Sequence, residues 1–183
     1  MIGSRMAGWE PNHTWLTPHL AVGGSFPSDG AEHLAKVLAV AAVVDLRVEA
    51  CDNRAVLERH GLDFLHLPTE DHCAVSQERL RAGVAFANRY LSREQRVLIH
   101  CEHGIGRSAT LALCVLVSRG MPPLDALQLA KTRRSLLSPS PAQYEAWAEW
   151  LTRWRAERNL AWEVPSFDAF AAIAYRHFRE EDG

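Results

Sequence analysis

The sequence predicts an α/β fold, in which one domain has a central, mostly parallel sheet of about four to five strands, flanking helices and an extra helix at the C-terminus. Three observations predict it. Short apolar segments of strand length alternate with longer segments of helical periodicity, and glycine, proline and asparagine separate the segments. The chain has 183 residues, a length that suits one ordinary domain with a terminal appendage.

The first half of the chain supplies three predicted strands and three predicted helices. The strands are 20–23, 42–47 and 62–67, and the helices are 28–39, 51–60 and 76–91. The first helix begins at Ser28 and Asp29, because both residue types are good N-caps. The third strand alternates in polarity and ends at Pro68, and a polar loop follows it.

The second half begins with a strand, a tight glycine loop and a helix. The strand is 96–100, Cys101 lies at its exit, and the apolar run 111–117 indicates that the following helix is buried. This succession is a phosphate-cradling arrangement, because the N-terminus of a helix attracts anions. Two further helices, 123–134 and 141–158, each begin with a proline near the first turn.

The last predicted helix starts at Pro165 and is amphipathic. Its apolar face carries Phe167, Phe170, Ala171, Ala174 and Phe178. This face can fold back on the domain or pair with a second copy of the chain, and we expect a monomer.

The composition excludes several function classes. Lys and Arg number 20 against 22 Asp and Glu, so the chain lacks the positive charge on which nucleic-acid binding relies. The longest apolar run, 37–44, is far shorter than the roughly 18 residues of a membrane span. The N-terminus shows no apolar region of signal-peptide length. We therefore expect a cytoplasmic protein with reduced cysteines, and neither nucleic acid nor a membrane as partner.

The segment 100–108 carries the chemistry. It has the sequence His-Cys-Glu-His-Gly-Ile-Gly-Arg-Ser, in a loop that opens a helix. The backbone N–H groups of this loop can converge on one tetrahedral oxyanion, with the positive end of the helix dipole behind them. Gly104 and Gly106 let the backbone approach the ligand where a Cβ would collide with it.

Two side chains complete this oxyanion site. Arg107 supplies a planar guanidinium that can bind two phosphate oxygens, which a lysine would meet only as a point charge. The same positive field favours the thiolate form of Cys101, which is the form that attacks phosphorus. The combination predicts a binding site for phosphate or another oxyanion with a nucleophile at its base.

The loop resembles the signature His-Cys-x-x-Gly-x-x-Arg-Ser/Thr of the protein tyrosine phosphatase superfamily. The resemblance implies that Cys101 is the nucleophile, that Arg107 holds the phosphoryl group and that Ser108 helps the thiolate leave when the phosphocysteine is hydrolysed. It assigns His100 a supporting role, since the family uses this histidine to brace the loop. The remaining loop positions would bind the substrate, and they are Glu102, His103, Gly104, Ile105 and Gly106.

A second resemblance narrows the family. Residues 11–18 resemble the corresponding segment of small atypical dual-specificity phosphatases of the VHZ type. The resemblance covers roughly residues 11–154 and implies a cysteine-phosphatase fold. We therefore assign 1–158 to a dual-specificity phosphatase catalytic domain and 159–183 to a C-terminal amphipathic helical extension.

The mechanism needs a carboxylic acid that protonates the leaving oxygen. Glu70 and Asp71 both lie on the loop after the third predicted strand. In related phosphatases the acid lies on such a loop, and Glu-Asp-His at 70–72 resembles the acid loop of tensin-type phosphatases. We choose Asp71 as the acid, which can also serve as the base for water in the second step, and Glu70 is the alternative.

Several other positions have two interpretations each. Gln143 resembles a water-positioning glutamine of some superfamily members, and a glutamine on the helix surface is an equal alternative. Asp45 and Arg47 either stiffen the site or form an ordinary surface ion pair, and we favour the surface ion pair. The basic residues within 131–134 are expected to face solvent, with attraction of an acidic substrate as the alternative.

The cysteines and the nine histidines raise two other hypotheses. Some relatives protect the nucleophile by a disulfide, which would pair Cys101 with either Cys73 or Cys51, and inert thiols are the alternative. No Cys-x-x-Cys or His-Glu-x-x-His spacing is present, so we predict no metal and no other cofactor.

The side chains at the rim of the loop indicate which class of substrate the site accepts. Tensin-type lipid phosphatases carry lysines where this loop has Glu102, His103 and Ile105, which disfavours a highly phosphorylated inositol ring. The sequence therefore predicts a metal-independent phosphatase acting through a phosphocysteine on phosphotyrosine in proteins, with phosphoserine and phosphothreonine left open. The alternatives are an RNA 5′-phosphatase or phosphoinositide phosphatase of the same superfamily, and a phosphoprotein-binding module that does not hydrolyse its ligand.

Overall fold

The computed structural model describes residues 9–180. The strands are β1 (His13–Trp15), β2 (Leu20–Gly23), β3 (Val40–Arg47), β4 (Asp63–Thr69) and β5 (Arg96–His100). The helices are α1 (Gly30–Lys36), α2 (Arg54–Arg59), α3 (Gln77–Leu91), α4 (Arg107–Ser118), α5 (Pro123–Arg133), α6 (Pro141–Arg158), α7 (Phe167–Ala174) and α8 (Arg176–Glu180). In this part of the chain no helix is both long enough and apolar enough to cross a membrane.

The strands form one sheet in the order β1-β2-β5-β3-β4. β1 is antiparallel to β2 at one edge, and the other four strands run parallel to one another. The predicted α/β class and the mostly parallel sheet are confirmed. Because parallel strands point the same way, the carboxyl ends of β2, β5, β3 and β4 meet at a single edge.

The sheet is buried on both faces, as is typical of parallel sheets covered by crossover helices. Val43 and Leu98 face a core shared with α1 and α2, whereas Val44 and Ile99 face the larger core of α3 to α6. α4 lies in the larger core, and every residue of 107–117 is buried. Its apolar run is therefore the signature of a central helix.

Element boundaries differ from the predicted ones at two short helices. α1 spans Gly30–Lys36 instead of 28–39. Asp29 occupies the N-cap position but its side chain makes no capping hydrogen bond, and the left-handed conformation of Ala39, with φ 52°, is incompatible with a helix that continues to residue 39. α2 begins at Arg54 instead of 51, because the Asn53 side chain accepts a hydrogen bond from the amide of Val56 and caps the helix there. The three-residue strand β1 is too short to show any alternation in the sequence.

The C-terminal extension folds back on the domain. α6 ends at Arg158, and Asn159 follows in a left-handed conformation with φ 51°. The predicted helix is present but is divided at Tyr175 into α7 and α8. Phe170 is completely buried against Trp147 of α6, so α7 shares the larger core.

Candidate active site

Four chain segments meet at the carboxyl edge of the sheet. His100 at the end of β5 lies beside Gly23 of β2 and Asp45 of β3, and Arg47 lies beside Thr69 of β4. The loops that follow these strands therefore surround Cys101. Residues that are distant in sequence become neighbours there, which is where open α/β sheets bind ligands.

The loop between β5 and α4 turns its carbonyl groups outward. Donors outside the loop reach these carbonyls: Ser25 N to Glu102 O (3.0 Å), the Arg134 guanidinium to His103 O (2.9 Å) and Gly104 O (2.7 Å), and Ser138 N to Ile105 O (3.0 Å). Among the described residues, the backbone amides of 102–106 donate to no protein acceptor. These amides therefore lie on the inner side, where an oxyanion can accept several of them at once.

Two glycines allow neighbouring groups to approach this loop closely. Gly104 has φ 70°, and a Cβ there would lie 2.5 Å from the carbonyl carbon of Gly23. A Cβ on Gly106 would lie 2.5 Å from Oε1 of Gln143. Other side chains would displace the loop from the neighbouring backbone and from α6.

The Cys101 sulfur lies at the base of the loop. Cys101 is buried, and its Sγ lies 3.2 Å from the hydroxyl oxygen of Ser108, which is fully buried in the first turn of α4. A hydroxyl at this distance can donate a hydrogen bond to a thiolate sulfur. The sulfur also lies at the N-terminus of α4, whose dipole favours a negative charge.

The Arg107 guanidinium is held by two partners at its far edge. Nη1 and Nη2 each donate to Glu49 at 2.7 Å, and Nη1 also donates to the carbonyl of Thr69 at 2.8 Å. The Arg107 hydrogen bond lowers the pKa of Glu49 from 4.5 to about 2. Burial alone would lower the pKa of Arg107, but the hydrogen bonds to Glu49 raise it overall. The pair therefore stays ionised.

This arrangement leaves one edge of Arg107 available. Of the five N–H groups of a guanidinium, the partners above use three. Arg107 Nε is buried without a hydrogen-bond partner among the described residues, and the second Nη2–H lies along the same edge. Nε and Nη2 together form a fork that can donate to two oxygens of one oxyanion.

Asp71 lies at that open edge. Its Oδ1 is 3.4 Å from Arg107 Nε, and it accepts a hydrogen bond of 3.0 Å from the amide of His72. Its side chain is half exposed and lines the same cleft as Cys101. The exposed Glu70 carboxylate instead lies 3.9 Å from the sulfur of Cys73, outside the residues that line this cleft.

A buried ionic network supports the loop from behind. His100 Nε2 donates to Asp52 at 2.6 Å, and Arg47 donates to Asp45 at 3.0 Å and to Asp52 at 2.9 Å. The expectation that Asp45 and Arg47 form a surface ion pair is wrong, because they are 0% and 7% exposed. β3 has parallel neighbours on both sides, so the end of the strand is covered.

The same network contains the strongest candidate for a cation site among the described residues. Ligand atoms of Asp45, Asp52 and His100 all lie within 4.8 Å of one another. The Arg47 guanidinium already donates to both carboxylates. The positive charge of this cluster is therefore supplied by the chain itself.

The predicted loop side chains divide into two groups. His103 and Ile105 line the cleft. The Glu102 carboxylate is turned away from it, since Oε2 accepts from Arg47 at 3.3 Å and Oε1 accepts from the Ser25 hydroxyl at 3.2 Å. Glu102 therefore offers its backbone amide to a ligand, and its side chain joins the supporting network.

Gln143 is not on the helix surface. It is 1% exposed, because its side chain accepts a hydrogen bond from the Ser140 amide at 2.8 Å and completes a capping box at the start of α6. Its Nε2 donates to the carbonyl of Cys73 at 3.3 Å. The side chain thus joins α6 to the loop that follows β4 and lines the cleft beside Gly106.

Arg134 belongs to the site, although we expected the basic residues within 131–134 to face solvent. Besides the two loop carbonyls, it donates to Thr14 Oγ1 at 3.0 Å and to Asn12 Oδ1 at 2.8 Å. Burial lowers its pKa, and the charge of Cys101 opposes that shift. Lys131 is also buried, and it donates to the carbonyl of Leu137 at 2.8 Å. The spacing of basic residues along α5 contains no signal for either role.

The four cysteines are free thiols. Cys51 and Cys73 are exposed, whereas Cys101 and Cys114 are buried. The pairing of an oxidised Cys101 with Cys73 or Cys51 stays a prediction.

Comparisons with known proteins agree with this geometry. The family model described as "Dual specificity phosphatase, catalytic domain" matches residues 24–153, a range that contains the loop 101–107 and Asp71. The match stops before the C-terminal extension begins.

Individual relatives include lipid and protein phosphatases. Phosphatidylglycerophosphate phosphatase PTPMT1 of Arabidopsis thaliana is 31% identical over 129 residues, which are 68% of this chain and 38% of that protein. Dual specificity protein phosphatase 1 of Homo sapiens is 29% identical over 127 residues, which are 68% of this chain and 33% of that protein. The chain thus spans less than two fifths of the length of these relatives.

Solved structures share the fold. The crystal structure of PTPMT1 in complex with PI(5)P has a TM-score of 0.75 at 23% identity, and the similarity covers 80% of this chain and 98% of that chain. At this identity the similarity concerns the arrangement of strands and helices.

Proposed function

The chain belongs to the dual specificity phosphatase family, whose members are hydrolases of phosphate esters, and we propose that it works without a metal through a phosphocysteine intermediate. The observation that carries the proposal is the inward-facing amide loop with a sulfur at its base and the open Arg107 fork at its side. Such a site places a nucleophile directly beneath a bound phosphoryl group.

In the first step the Cys101 thiolate attacks phosphorus, and an S–P bond forms as the P–O bond to the leaving group breaks. The loop amides and the Nε and Nη2 donors of Arg107 hold the equatorial oxygens, whose charge they stabilise. Asp71 gives its proton to the leaving oxygen, so that an alcohol or phenol departs. Asp71 Oδ1 lies 3.4 Å from Arg107 Nε, so this carboxyl group is close to a phosphoryl group held by the fork.

In the second step water attacks the phosphorus of the phosphocysteine, and Asp71 takes a proton from that water. The S–P bond breaks and inorganic phosphate is formed. Ser108, at 3.2 Å from the sulfur, donates a hydrogen bond to the departing thiolate. The enzyme returns to its initial state without an added cofactor.

The nucleophile is tested with Cys101→Ser and phenyl phosphate as substrate. We expect turnover to be abolished while inorganic phosphate still binds, as measured by calorimetry. Cys73→Ser, which changes an exposed cysteine outside the cleft lining, is the matched control and should keep wild-type turnover. An undiminished rate in Cys101→Ser would reject the mechanism. A wild-type chain that binds phosphopeptide tightly and releases no phosphate would be a binding module.

The acid is tested with Asp71→Asn against Glu70→Gln. We expect Asp71→Asn to reduce kcat about 10²–10⁴-fold on a phosphotyrosine peptide, with a smaller loss on p-nitrophenyl phosphate, whose leaving group needs no proton. Glu70→Gln should change kcat less than about twofold on both substrates, because Glu70 is turned toward Cys73. The reverse order of effects would assign the acid to Glu70.

For the substrate we propose phosphotyrosine in proteins. Protein phosphatases among the relatives support this class. The cleft rim supports it too, since the side chains of His72, His103 and Ile105 offer no cluster of fixed positive charges for a polyphosphorylated ring.

A second candidate substrate is a phospholipid with a terminal phosphate monoester. The similarity to a phosphatidylglycerophosphate phosphatase favours it. Phosphate release from phosphatidylglycerophosphate in mixed micelles, from a phosphotyrosine peptide and from a 5′-phosphorylated RNA should be compared at equal enzyme concentration. A kcat/KM at least tenfold higher on the lipid would replace the protein substrate by the lipid one.

A further inference from the structure

The C-terminal extension forms one wall of the active-site cleft. The cleft has a volume of about 460 Å³, and Cys101, Gly106 and Asp71 lie on the same lining as Tyr175 and Phe178. Tyr175 and Phe178 lie beyond residues 24–153, which the family model matches. The wall is therefore an addition of this chain to the site that the family model describes.

The wall is anchored at several points. Tyr175 Oη donates to the carbonyl of Pro139 at 2.6 Å, in the segment that also holds the loop carbonyl of Ile105 through the Ser138 amide. The preceding helix, α7, is fixed by the burial of Phe170 in the core. α8 is tied to α5 by a hydrogen bond of 2.7 Å from Lys131 Nζ to His177 Nδ1.

Phe178 is exposed although it is anchored. The residue is 54% exposed, and its ring lies beside those of His177 and Tyr175, with centroids 3.9 Å and 6.2 Å away. Among the large apolar side chains that are exposed in residues 9–180, Phe178 alone lines this cleft. Water on a phenyl ring is unfavourable, and an apolar ligand group that covers the ring removes that cost.

We propose that Phe178, supported by Tyr175, is a specificity-determining residue that packs against the aryl leaving group of the substrate and so favours phosphotyrosine over alkyl phosphates. The proposal rests on the proposed function, because it assumes a phosphoryl group seated above Cys101. With the phosphoryl group there, the leaving group extends into the cleft whose lining includes Phe178.

The composition of the lining favours one ring over a long acyl chain. The apolar side chains of the lining are the two rings, Ile105 and Pro141, and the other sides carry polar groups such as His72, Ser138 and Ser140. Two tilted rings offer edge-to-face contacts to a third ring at no conformational cost to the ligand. A flexible chain would need a longer apolar surface and would lose rotational freedom on binding.

The test measures binding to the wild-type chain of phosphonates, whose C–P bond cannot be hydrolysed. Phenyl-, hexyl- and methylphosphonate are compared by calorimetry in wild type, Phe178→Ala and Phe178→Leu. Phe167→Ala is the matched control, because Phe167 is 39% exposed on the same extension but lies outside the cleft lining. Thermal unfolding of each variant checks that the extension stays folded.

We expect wild type to bind phenylphosphonate about 3- to 10-fold more tightly than methylphosphonate. Phe178→Ala should reduce that ratio to less than about twofold with an unchanged Kd for methylphosphonate, Phe178→Leu should fall between, and Phe167→Ala should keep the wild-type ratio. An unchanged ratio in Phe178→Ala overturns the inference. A larger loss for hexylphosphonate than for phenylphosphonate overturns it in favour of an acyl chain.

Turnover separates this inference from the proposed function. If wild type hydrolyses phenyl phosphate and the binding ratio does not depend on Phe178, the function stands and the inference fails. If no phosphate monoester is hydrolysed but the ratio falls in Phe178→Ala, the catalytic proposal fails while the ring contact stands.

Discussion

Two buried arginines lie at the same edge of the sheet and are bound in different ways. Arg47 donates to three carboxylates, those of Asp45, Asp52 and Glu102, and both edges of its guanidinium are occupied. Arg107 donates to one carboxylate and one carbonyl at its far edge, and its Nε has no hydrogen-bond partner among the described residues, although Asp71 Oδ1 lies 3.4 Å away. In Arg47 the fork of Nε and Nη2 is filled by Asp45, and such a guanidinium stabilises the fold, whereas the open fork of Arg107 is prepared for a ligand.

Arg47 and Arg107 do not differ in their charge. Burial would lower the pKa of Arg47, but its hydrogen bonds to Asp45 raise it, and the same balance raises the pKa of Arg107. Burial likewise opposes ionisation of Asp45, yet the hydrogen bonds from Arg47 lower its pKa. Both arginines stay charged, so the difference lies in the geometry of their partners.

The largest expected effect is on stability, at Arg47. Arg47→Met leaves Asp45 buried without its partner, and we expect the free energy of unfolding to fall by about 3–5 kcal/mol. Urea unfolding measures this change. The specific activity of the folded fraction should fall less than about tenfold, because Arg47 contacts only the outward-facing side chain of Glu102 in the loop. A loss of activity larger than that, with unchanged stability, would contradict the structural role of Arg47.

The next effect is on catalysis, at Arg107. Lysine keeps the charge but cannot form the Nε and Nη2 fork, so Arg107→Lys should reduce kcat/KM for phenyl phosphate about 10²–10³-fold. The unfolding free energy should change less than in Arg47→Met, since Glu49 is an exposed partner. If both arginine variants lost activity and stability in equal proportion, the distinction between a filled and an open fork of Nε and Nη2 would be wrong.

The site residues that could be predicted from the sequence lie close together in the chain. Cys101, Gly104 and Arg107 lie in one short loop between a strand and a helix, so their spacing alone brings them together. The buried helix α4 was predictable for a similar reason, because its apolar run is unbroken. Local signals suffice where the site is local.

The remainder depends on which distant segments the sheet brings together. Glu49 and Arg134 are separated by many residues from the loop that they hold, and no spacing relates them to it. Asp45 and Arg47 did carry a signal, because charged residues at the end of an apolar strand are buried when parallel strands flank it on both sides. The position of β3 between two parallel strands explains why this ion pair is buried and does not lie on the surface.

A smaller effect is expected at Arg134, which holds the loop from outside. Arg134→Gln removes the hydrogen bonds to the carbonyls of His103 and Gly104, and the amide loop should lose part of its rigidity. We expect kcat/KM for phenyl phosphate to fall about tenfold, and the affinity for inorganic phosphate to fall with it. Arg133→Gln, at an exposed neighbour, is the matched control. Equal effects of the two changes would show that only the overall charge of α5 matters.

The smallest effect concerns the carboxylate that positions Arg107. Because Arg107 lowers the pKa of Glu49 from 4.5 to about 2, the pair stabilises the folded state fully above pH 4.5, and this contribution is lost as the pH falls toward 2. The Glu49 side chain is 42% exposed, so solvent screening limits the difference between wild type and Glu49→Gln to about 1 kcal/mol or less. Urea unfolding should show a constant difference from pH 7 to pH 5 and a shrinking one below. A difference that stayed constant or grew on acidification would contradict a stabilising ion pair between Glu49 and Arg107.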